Sequence, residues 1–403
     1  MIIRPAKRTE SVQEYYFSRK LKEIASMNAE RSLRGEATVI NLGIGSPDGM
    51  PPSEAVEALC SSASKSGNHA YQSYVGLPEL RQAFADWYLK WYGVELDPKT
   101  EIQPLVGSKE AILLISLAFL DKGDKVLVPD PGYPTYSSAS RLVEAEIVPY
   151  DLTPDNGWQP DFDALEKMEL SGVKIMWTNY PNMPTGAPAS EELYARLVDF
   201  GRRHGILICN DNPYSFILND NPLSILSQPG AKDCCLELNS LSKAYNMAGW
   251  RIGMVAADKE VISQILKVKS QMDSGMFKPL QEAAVEALAQ GPGWFSLLNA
   301  EYARRRVLAG EIFDLLGVEY DRNSSGMFLW GKVGESSISL CSGRGVSEKS
   351  AGEQLSDKIL YEAGVFITPG FIFGKNGEDY VRISLCAKPE VLKRAAENIR
   401  SIL

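Results

Sequence analysis

The chain has 403 residues, an apolar fraction of 44% and a formal charge of −9 from 51 acidic and 42 basic residues. That length can bury the core of two or three domains, and the acidic balance without a long basic run argues against nucleic acid as the main partner. The N-terminus lacks the apolar stretch of a signal peptide, the apolar run 111–120 is too short to span a bilayer, and six scattered cysteines are typical of reduced thiols. We therefore expect a cytoplasmic protein with no membrane partner.

The N-terminal segment predicts a helix followed by a loop. Residues 11–14, SVQE, resemble a capping box with Ser11 and Glu14 at its two ends, and residues 15–33 place an apolar side chain every three or four positions. Residues 39–52, VINLGIGSPDGMPP, are rich in glycine and proline, which predicts a loop between parts of the protein.

From about residue 75 to 270, helix-like and strand-like segments alternate. A helix is predicted over PELRQAFADWYLKWYG, and strands over KVLVPD, VKIMWTN, ILICND and CCLELNSL. This alternation predicts an α/β fold, in which a mostly parallel sheet is sandwiched by helices. From about 286 a charged helix and the strands GMFLWGKV and YVRISLCA predict a smaller α+β unit. We expect an N-terminal arm at 1–45, a large cofactor-binding domain at 46–285 and a small domain at 286–403, with part of the N-terminus joining the small domain or a partner subunit.

Unusual polar segments follow four strand-like runs, at the edge where ligands bind in open α/β sheets. These runs are IQPLVG and the predicted strands VKIMWTN, ILICND and CCLELNSL. They are GSKEA at 107–111, YPNMPTG at 180–186, DNPY at 211–214 and SLSK at 240–243. GSKEA places small residues and a cation at a helix N-terminus, which favours the binding of an anion. An ordinary helix start with a solvated lysine explains the segment equally well. No phosphate-binding P-loop occurs, and GIGSPDG fails the spacing of a dinucleotide-binding loop.

Asp211 and Lys243 carry the strongest chemical signal. A carboxylate at the end of an apolar strand is costly unless paired, and Asp211 could hold a ligand's ring nitrogen protonated; the alternative is a turn residue before Pro213. A partly desolvated Lys243 among small residues could form a Schiff base. Ser240, Ser242 and Arg251 would suit a phosphate. A surface lysine in a loop fits these neighbours poorly.

SLSK, followed by GWRIG at 249–253 and combined with DNPY, resembles the pyridoxal-phosphate-dependent aminotransferases of class I and II, the fold type I group that includes aspartate aminotransferase. The resemblance runs from about residue 38 to the C-terminus. It implies transamination between an L-amino acid and a 2-oxo acid, with pyridoxal 5′-phosphate joined to Lys243 as an internal aldimine. It also implies that Asp211 pairs with the pyridinium nitrogen and that Tyr214 bonds the ring oxygen O3′.

The resemblance implies further site residues and a homodimer with shared active sites. Tyr133 would stack on the cofactor, Tyr71 would reach the phosphate in the neighbouring subunit, and the backbone of Gly45 would help Arg382, in FGKNGEDYVRIS, to bind the substrate α-carboxylate. The residues implied to hold the phosphate are Ser108, Lys109, Ser240, Ser242 and Arg251.

One position departs from the family pattern. The family places an asparagine immediately before P-T-G, where it donates to O3′, whereas this chain has Met183 there and Asn182 one residue earlier. A shift of one residue reverses a side chain in an extended segment, so Asn182 is only a doubtful substitute. We hypothesise that losing the donor raises the pKa of the aldimine.

Two other functions remain open at this point. A C–S lyase acting by β-elimination would use the same lysine, aspartate and phosphate site, because the cofactor carries the chemistry. A non-catalytic regulator that reuses the fold is disfavoured by the absence of an N-terminal DNA-binding extension. Residues 271–284, QMDSGMFKPLQEAA, resemble a segment of the diaminopimelate and alanine-type subgroups.

Overall fold

The computed structural model describes residues 3–12, 14–341 and 349–403, and within them strands and helices alternate through most of the chain. The strands are β1 Ile40–Asn41, β2 Ile102–Leu105, β3 Lys125–Asp130, β4 Glu146–Asp151, β5 Val173–Thr178, β6 Leu207–Asp211, β7 Cys235–Ser240, β8 Gly253–Ala257, β9 Val318–Tyr320, β10 Phe328–Val333, β11 Val365–Phe366, β12 Thr368–Pro369 and β13 Tyr380–Ser384. The helices are α1 Lys7–Glu10, α2 Tyr16–Leu33, α3 Ser53–Ala63, α4 Pro78–Tyr92, α5 Ser108–Phe119, α6 Pro134–Leu142, α7 Phe162–Leu165, α8 Glu191–His204, α9 Leu241–Ala244, α10 Lys259–Lys269, α11 Lys278–Leu288, α12 Pro292–Leu316, α13 Glu335–Cys341, α14 Ala351–Lys358 and α15 Pro389–Arg400.

The larger sheet has seven strands in the order β2-β8-β7-β6-β5-β3-β4. β7, β6, β5, β3 and β4 run parallel, and β8 alone is antiparallel to both of its neighbours. The predicted α/β fold with a mostly parallel sheet is therefore confirmed. β3, β5, β6 and β7 are the four apolar runs in which strands were predicted.

Helices cover both faces of this sheet, and the strands supply side chains to each face in alternation. On one face Val126 and Val128 of β3 belong to a buried cluster with Ile112 and Ile115 of α5. Leu127, between the two valines, belongs to the cluster on the opposite face with side chains of α4, α8 and α11. Burial on both faces explains why these strands read as continuous apolar runs rather than alternating ones.

A smaller α+β unit is built around the antiparallel sheet β12-β13-β10-β9. Its core includes Ile312 and Phe313 of α12, Leu355 of α14 and Leu392 of α15. β1 pairs with β11, so part of the N-terminal segment joins the C-terminal unit, as expected. The division into 1–45, 46–285 and 286–403 stays a prediction.

The expected capping box at the start of the first long helix is wrong. α2 begins at Tyr16, and the preceding Tyr15 makes no side-chain cap. Ser11 instead follows the short helix α1 and donates to the carbonyl of Arg8 at 2.7 Å, while Glu14 pairs with Lys22. Ser11 and Glu14 thus lie before the helix, and the box motif is coincidental. Among all the described helices, none has the length and apolarity that crossing a bilayer requires.

Candidate active site

The carboxyl ends of the parallel strands bring the polar segments together. β6 ends at Asp211 and β7 ends at Ser240, with Lys243 in the short helix α9 that follows. β8 runs in the opposite direction, so it begins at this edge, and Arg251 just before it lies beside the ends of its neighbours. One reversed strand therefore places the arginine of GWRIG next to the lysine of SLSK.

These ends open into a cavity of about 460 Å³ between the large sheet and the smaller unit. All but two of the site residues predicted from the sequence line this cavity: Gly45, Ser108, Lys109, Tyr133, Asp211, Tyr214, Ser240, Ser242, Lys243, Arg251 and Arg382. The two exceptions are Tyr71 and Asn182.

Lys243 is half-buried in the wall of this cavity. Its Nζ donates to the carbonyl oxygen of Gly45. Burial lowers the pKa of the Lys243 ammonium, and the nearby charges of Arg382 and Arg251 act in the same direction. A lysine with a lowered pKa supplies a neutral amine more readily, which is what attack on a carbonyl carbon requires.

Asp211 has one bonded and one free carboxylate oxygen. Oδ2 accepts from the hydroxyl of Tyr136 at 2.9 Å, whereas Oδ1 is buried without a hydrogen-bond partner among the described residues. Burial raises the pKa of Asp211 to about 7, and the Tyr136 bond partly offsets that effect. Buried polar atoms are almost always paired, so Oδ1 in the wall of the cavity fits a cationic N–H donor such as a protonated ring nitrogen.

An anion-binding cradle lies beside Lys243. α5 begins at Ser108 with its free backbone N–H groups at the cavity, and the Oγ atoms of Ser240 and Ser242 are 2.8 Å apart. Arg251 donates from Nη1 to Ser242 at 3.3 Å. Gly107 has φ +80°, and a Cβ there would lie 2.1 Å from Nη2 of Arg251, so glycine is required for the guanidinium to reach this position. Helix N–H groups, hydroxyls and a guanidinium together suit a phosphate.

Arg382 of β13 forms a second anion site across the cavity. It is only 4% exposed; Nη2 donates to the carbonyl of Gly43 at 2.9 Å, and Nη1 lies 3.1 Å from the sulfur of Met183. Nε has no partner among the described residues. Burial lowers the pKa of Arg382 to about 10, so the group stays charged at neutral pH and can bind a carboxylate.

Two tyrosines complete the walls between the cradle and Arg382. Tyr214 is buried, and burial raises the pKa of its hydroxyl, so the phenol remains protonated and able to donate. Tyr133 immediately precedes α6 and presents a ring to the cavity. Both positions are compatible with the predicted contacts to an aromatic cofactor.

The placement of Asn182 does not support the doubtful role given to it. Its Oδ1 accepts from the backbone and hydroxyl of Thr185, and its Nδ2 donates to the carbonyl of Asn179. The side chain is thus used within its own turn, while Met183 faces the cavity instead.

Tyr71 is 90% exposed and lies outside the cavity of its own chain; its role in a neighbouring subunit stays a prediction.

Sequence reasoning missed Tyr136, Asn179 and an aromatic wall formed by Phe17, Phe328 and Phe373. Tyr136 stacks on Trp177 with ring centroids 4.9 Å apart, which fixes the hydroxyl that bonds Asp211. Asn179 accepts from the backbone of Met183 at 2.7 Å and lines the cavity. The signal for Tyr136 was its position three residues after Tyr133, because Tyr133 immediately precedes the helix that begins at Pro134 and Tyr136 lies in the first turn of that helix.

Comparison with protein families places this geometry among known enzymes. Residues 37–399 match the family model described as aminotransferase class I and II. An LL-diaminopimelate aminotransferase of Dehalococcoides mccartyi is 39% identical over 391 residues, which cover 96% of each protein. An LL-diaminopimelate aminotransferase of Aquifex aeolicus is 40% identical over 366 residues, covering 90% of this chain and 91% of that protein.

Solved structures give the same result for the fold. Substrate-bound BacF from Bacillus subtilis superposes with a TM-score of 0.89 at 32% identity, over 100% of this chain and 98% of BacF. Aspartate aminotransferase of Thermus thermophilus with maleate gives a TM-score of 0.87 at 26% identity, over 100% of both chains.

Proposed function

The chain belongs to the aminotransferase class I and II family, and we propose that Lys243 is its catalytic lysine and that its amino donor is an amino acid of the diaminopimelate kind. The reaction is transamination between an L-amino acid and a 2-oxo acid with pyridoxal 5′-phosphate as cofactor. The observation that carries the assignment of Lys243 is its place in one cavity with the phosphate-type cradle and the free oxygen of Asp211.

The residues of the cavity fit pyridoxal phosphate. Oδ1 of Asp211 would accept from the protonated ring nitrogen, Tyr214 would donate to the ring oxygen O3′, and Tyr133 would stack on the ring. The cradle of Ser108, Lys109, Ser240, Ser242 and Arg251 would hold the phosphate. When bound, this cofactor delocalises the electron pair that remains on the substrate α-carbon after its proton is removed.

Lys243 and Arg382 act on the substrate. A protonated lysine cannot accept a proton, and burial shifts Lys243 toward the neutral amine, which can then remove the proton from the α-carbon. Arg382 binds the α-carboxylate through two parallel hydrogen bonds, with Gly45 nearby. With its carboxylate held there, the substrate would place its α-carbon in the cavity that Lys243 also lines.

We further propose that the site is shared between two subunits. Homodimers are typical of this family, and Tyr71 is 90% exposed and does not line the cavity of its own chain. A cytoplasmic location is also proposed, since the five cysteines described by the structure are all unpaired thiols.

Two donor classes are supported by different observations. The curated relatives at 39% and 40% identity are LL-diaminopimelate aminotransferases, which favours a diamino dicarboxylic acid. The guanidinium of Arg382, however, lies 3.9 Å from the ring centroid of Phe328 and 4.7 Å from that of Phe373, with Phe17 5.9 Å away. Such an aromatic wall favours a large apolar side chain as the second candidate.

A half-reaction screen tests both. Purified holoenzyme is mixed with LL-diaminopimelate, phenylalanine, alanine or cystathionine, and the absorbance of the bound cofactor is followed. Rapid loss of the band with LL-diaminopimelate, restored by a 2-oxo acid, supports the proposal; reaction with phenylalanine alone favours the second candidate. Release of homocysteine, pyruvate and ammonia from cystathionine would identify a lyase instead. Lys243→Ala should abolish every reaction, whereas the exposed Lys267→Ala should change none.

A further inference from the structure

The loop that carries Tyr71 has no helix or strand of its own. Residues 70–77 connect the 3-10 turn Ser66–His69 to α4, and none of them lines the cavity of the same chain. Tyr71 itself is 90% exposed, so its side chain gains no support from packing. The shape of this loop is therefore set by Leu77, which packs against the core, and by contacts that other segments make to the loop backbone.

Gln281 of α11 makes the most buried of these contacts. Its side chain is fully buried; Oε1 accepts from the backbone N–H of Leu77 at 2.7 Å, and Nε2 donates to the carbonyl of Met276 at 2.6 Å. One carboxamide thus joins the end of the Tyr71 loop to the segment 271–284. Because an unpaired buried amide is costly, the two bonds hold both backbones at fixed positions.

The turn before α11 presses against the same loop. Lys269 is fully buried and paired with Asp273, whose second oxygen accepts from the N–H of Gly275 at 3.1 Å. Gly275 has φ +87°, and a Cβ there would lie 2.5 Å from the carbonyl oxygen of Gln72. The buried ion pair therefore fixes a turn that only glycine allows to approach the loop so closely.

A third contact comes from the large sheet. Gln103 of β2 is buried and donates to the carbonyl of Tyr74 at 3.0 Å. The loop is consequently hydrogen-bonded at Tyr74 and Leu77 and closely approached by Gly275 at Gln72.

We propose that Gln281 is a positioning residue that sets the Tyr71 loop and, through it, the contact to the cofactor phosphate in the other subunit of the dimer. The inference rests on the proposed role of Tyr71 in a shared site. Gln281 does not line its own cavity, so it makes no direct contact there, and the proposed effect on cofactor binding acts through the Tyr71 loop.

A double-mutant cycle on cofactor binding tests this. The ligand is pyridoxamine phosphate, which carries the same phosphate but has no aldehyde to react with Lys243. Its dissociation constant is measured for the full chain, for Gln281→Met and for Gln264→Met, a matched change on the exposed face of α10, each with Tyr71 intact and with Tyr71→Phe. Light scattering and thermal melts report on dimerisation and folding.

Tyr71→Phe should weaken binding by about tenfold, as for the loss of one hydrogen bond to a charged group. Gln281→Met should weaken binding by about threefold or more when Tyr71 is intact and by much less in the Tyr71→Phe background. The two effects are not additive because both changes remove the same contact, the one between Tyr71 and the phosphate. Gln264→Met should have no effect in either background. If Gln281→Met fails to fold, Gln103→Met, which releases the same loop from the sheet, should show the same non-additive pattern.

Equal losses from Gln281→Met in both backgrounds would overturn the inference while leaving Tyr71 in its proposed role. A Tyr71→Phe variant that binds pyridoxamine phosphate as the parent does would overturn both the role of Tyr71 and the inference that depends on it.

Discussion

The hydroxyl of Tyr136 donates to Oδ2 of Asp211 at 2.9 Å, and this bond leaves Oδ1 as the only unbonded oxygen of the carboxylate within the described structure. The two residues are 75 positions apart in sequence and meet because α6 follows β3 while Asp211 ends β6. The bond orients the carboxylate and stabilises its charged form, which burial opposes. Tyr136 thereby prepares Asp211 to face a cationic nitrogen.

Tyr136→Phe should lower kcat by about tenfold, the loss expected for one hydrogen bond to a charged group. Without the donor the pKa of Asp211 rises further, so a larger fraction of the carboxyl is protonated at neutral pH and cannot keep the ring nitrogen protonated. The acidic limb of the kcat profile should therefore move to higher pH.

Tyr150→Phe is the matched control for Tyr136→Phe, because it also removes a buried tyrosine hydroxyl. The hydroxyl of Tyr150 donates to the backbone carbonyl of Trp177, and Tyr150 does not line the cavity. Its kcat profile should match that of the parent. A Tyr136→Phe profile that is equally unchanged would contradict the role given to this bond.

Without its cofactor, the parent should lose folding stability as pH rises, and Asp211→Asn should remove that loss. Burial raises the pKa of Asp211 to about 7 from an ordinary value of 3.8, so the folded state binds more protons than the unfolded state between these values, and folding stability falls as pH rises through that window. Asparagine carries no charge, so the free energy of unfolding of the variant relative to the parent should increase by about 2.5 kcal/mol between pH 5 and pH 8. Urea unfolding at both pH values measures this, and a constant difference would refute it. Transamination should be lost in the variant.

The large sheet was predictable because its central strands are buried on both faces. β3, β5, β6 and β7 are continuous apolar runs, and the polar residues at their ends had to lie at a common edge once the strands were parallel. The direction of β8 was not predictable, since its sequence, GMVAA, is equally compatible with a parallel strand. The resemblance placed Arg251 correctly in the cavity without that knowledge.

The sequence was less informative where long-range contacts decide the outcome. Asn179 and Tyr136 bond to groups whose positions depend on the sheet order, and no local pattern encodes those contacts. The capping box failed for a related reason: Ser11 and Glu14 match a local motif, but the chain forms the short helix α1 first and begins α2 only at Tyr16.

Met183→Asn should restore the asparagine donor to O3′ that the family has at this position, in addition to the hydroxyl of Tyr214. The thioether of Met183 contacts Nη1 of Arg382, but sulfur is a weak acceptor and cannot donate. A donated hydrogen bond stabilises the ionised ring oxygen, so the pKa at which the bound cofactor changes its visible absorbance should be lower in the variant. Met183→Leu, which also lacks a donor, should titrate as the parent does. An absorbance titration that is the same for all three proteins would reject the hypothesis.

Arg382→Lys should separate substrate binding from cofactor binding. Lysine keeps a positive charge but has no planar fork, so it cannot form the two parallel hydrogen bonds that a carboxylate accepts from a guanidinium. Losing one charge-assisted bond and the orientation it provides should raise KM for both the amino acid and the 2-oxo acid by roughly 100-fold. The dissociation constant of pyridoxamine phosphate should stay unchanged, because Arg382 bonds Gly43 and Met183 and none of the residues of the cradle around Arg251. Arg304→Lys, at an exposed ion pair with Glu301, should change neither quantity. A parallel loss of cofactor affinity in Arg382→Lys would show that this arginine supports the fold of the site rather than the substrate alone.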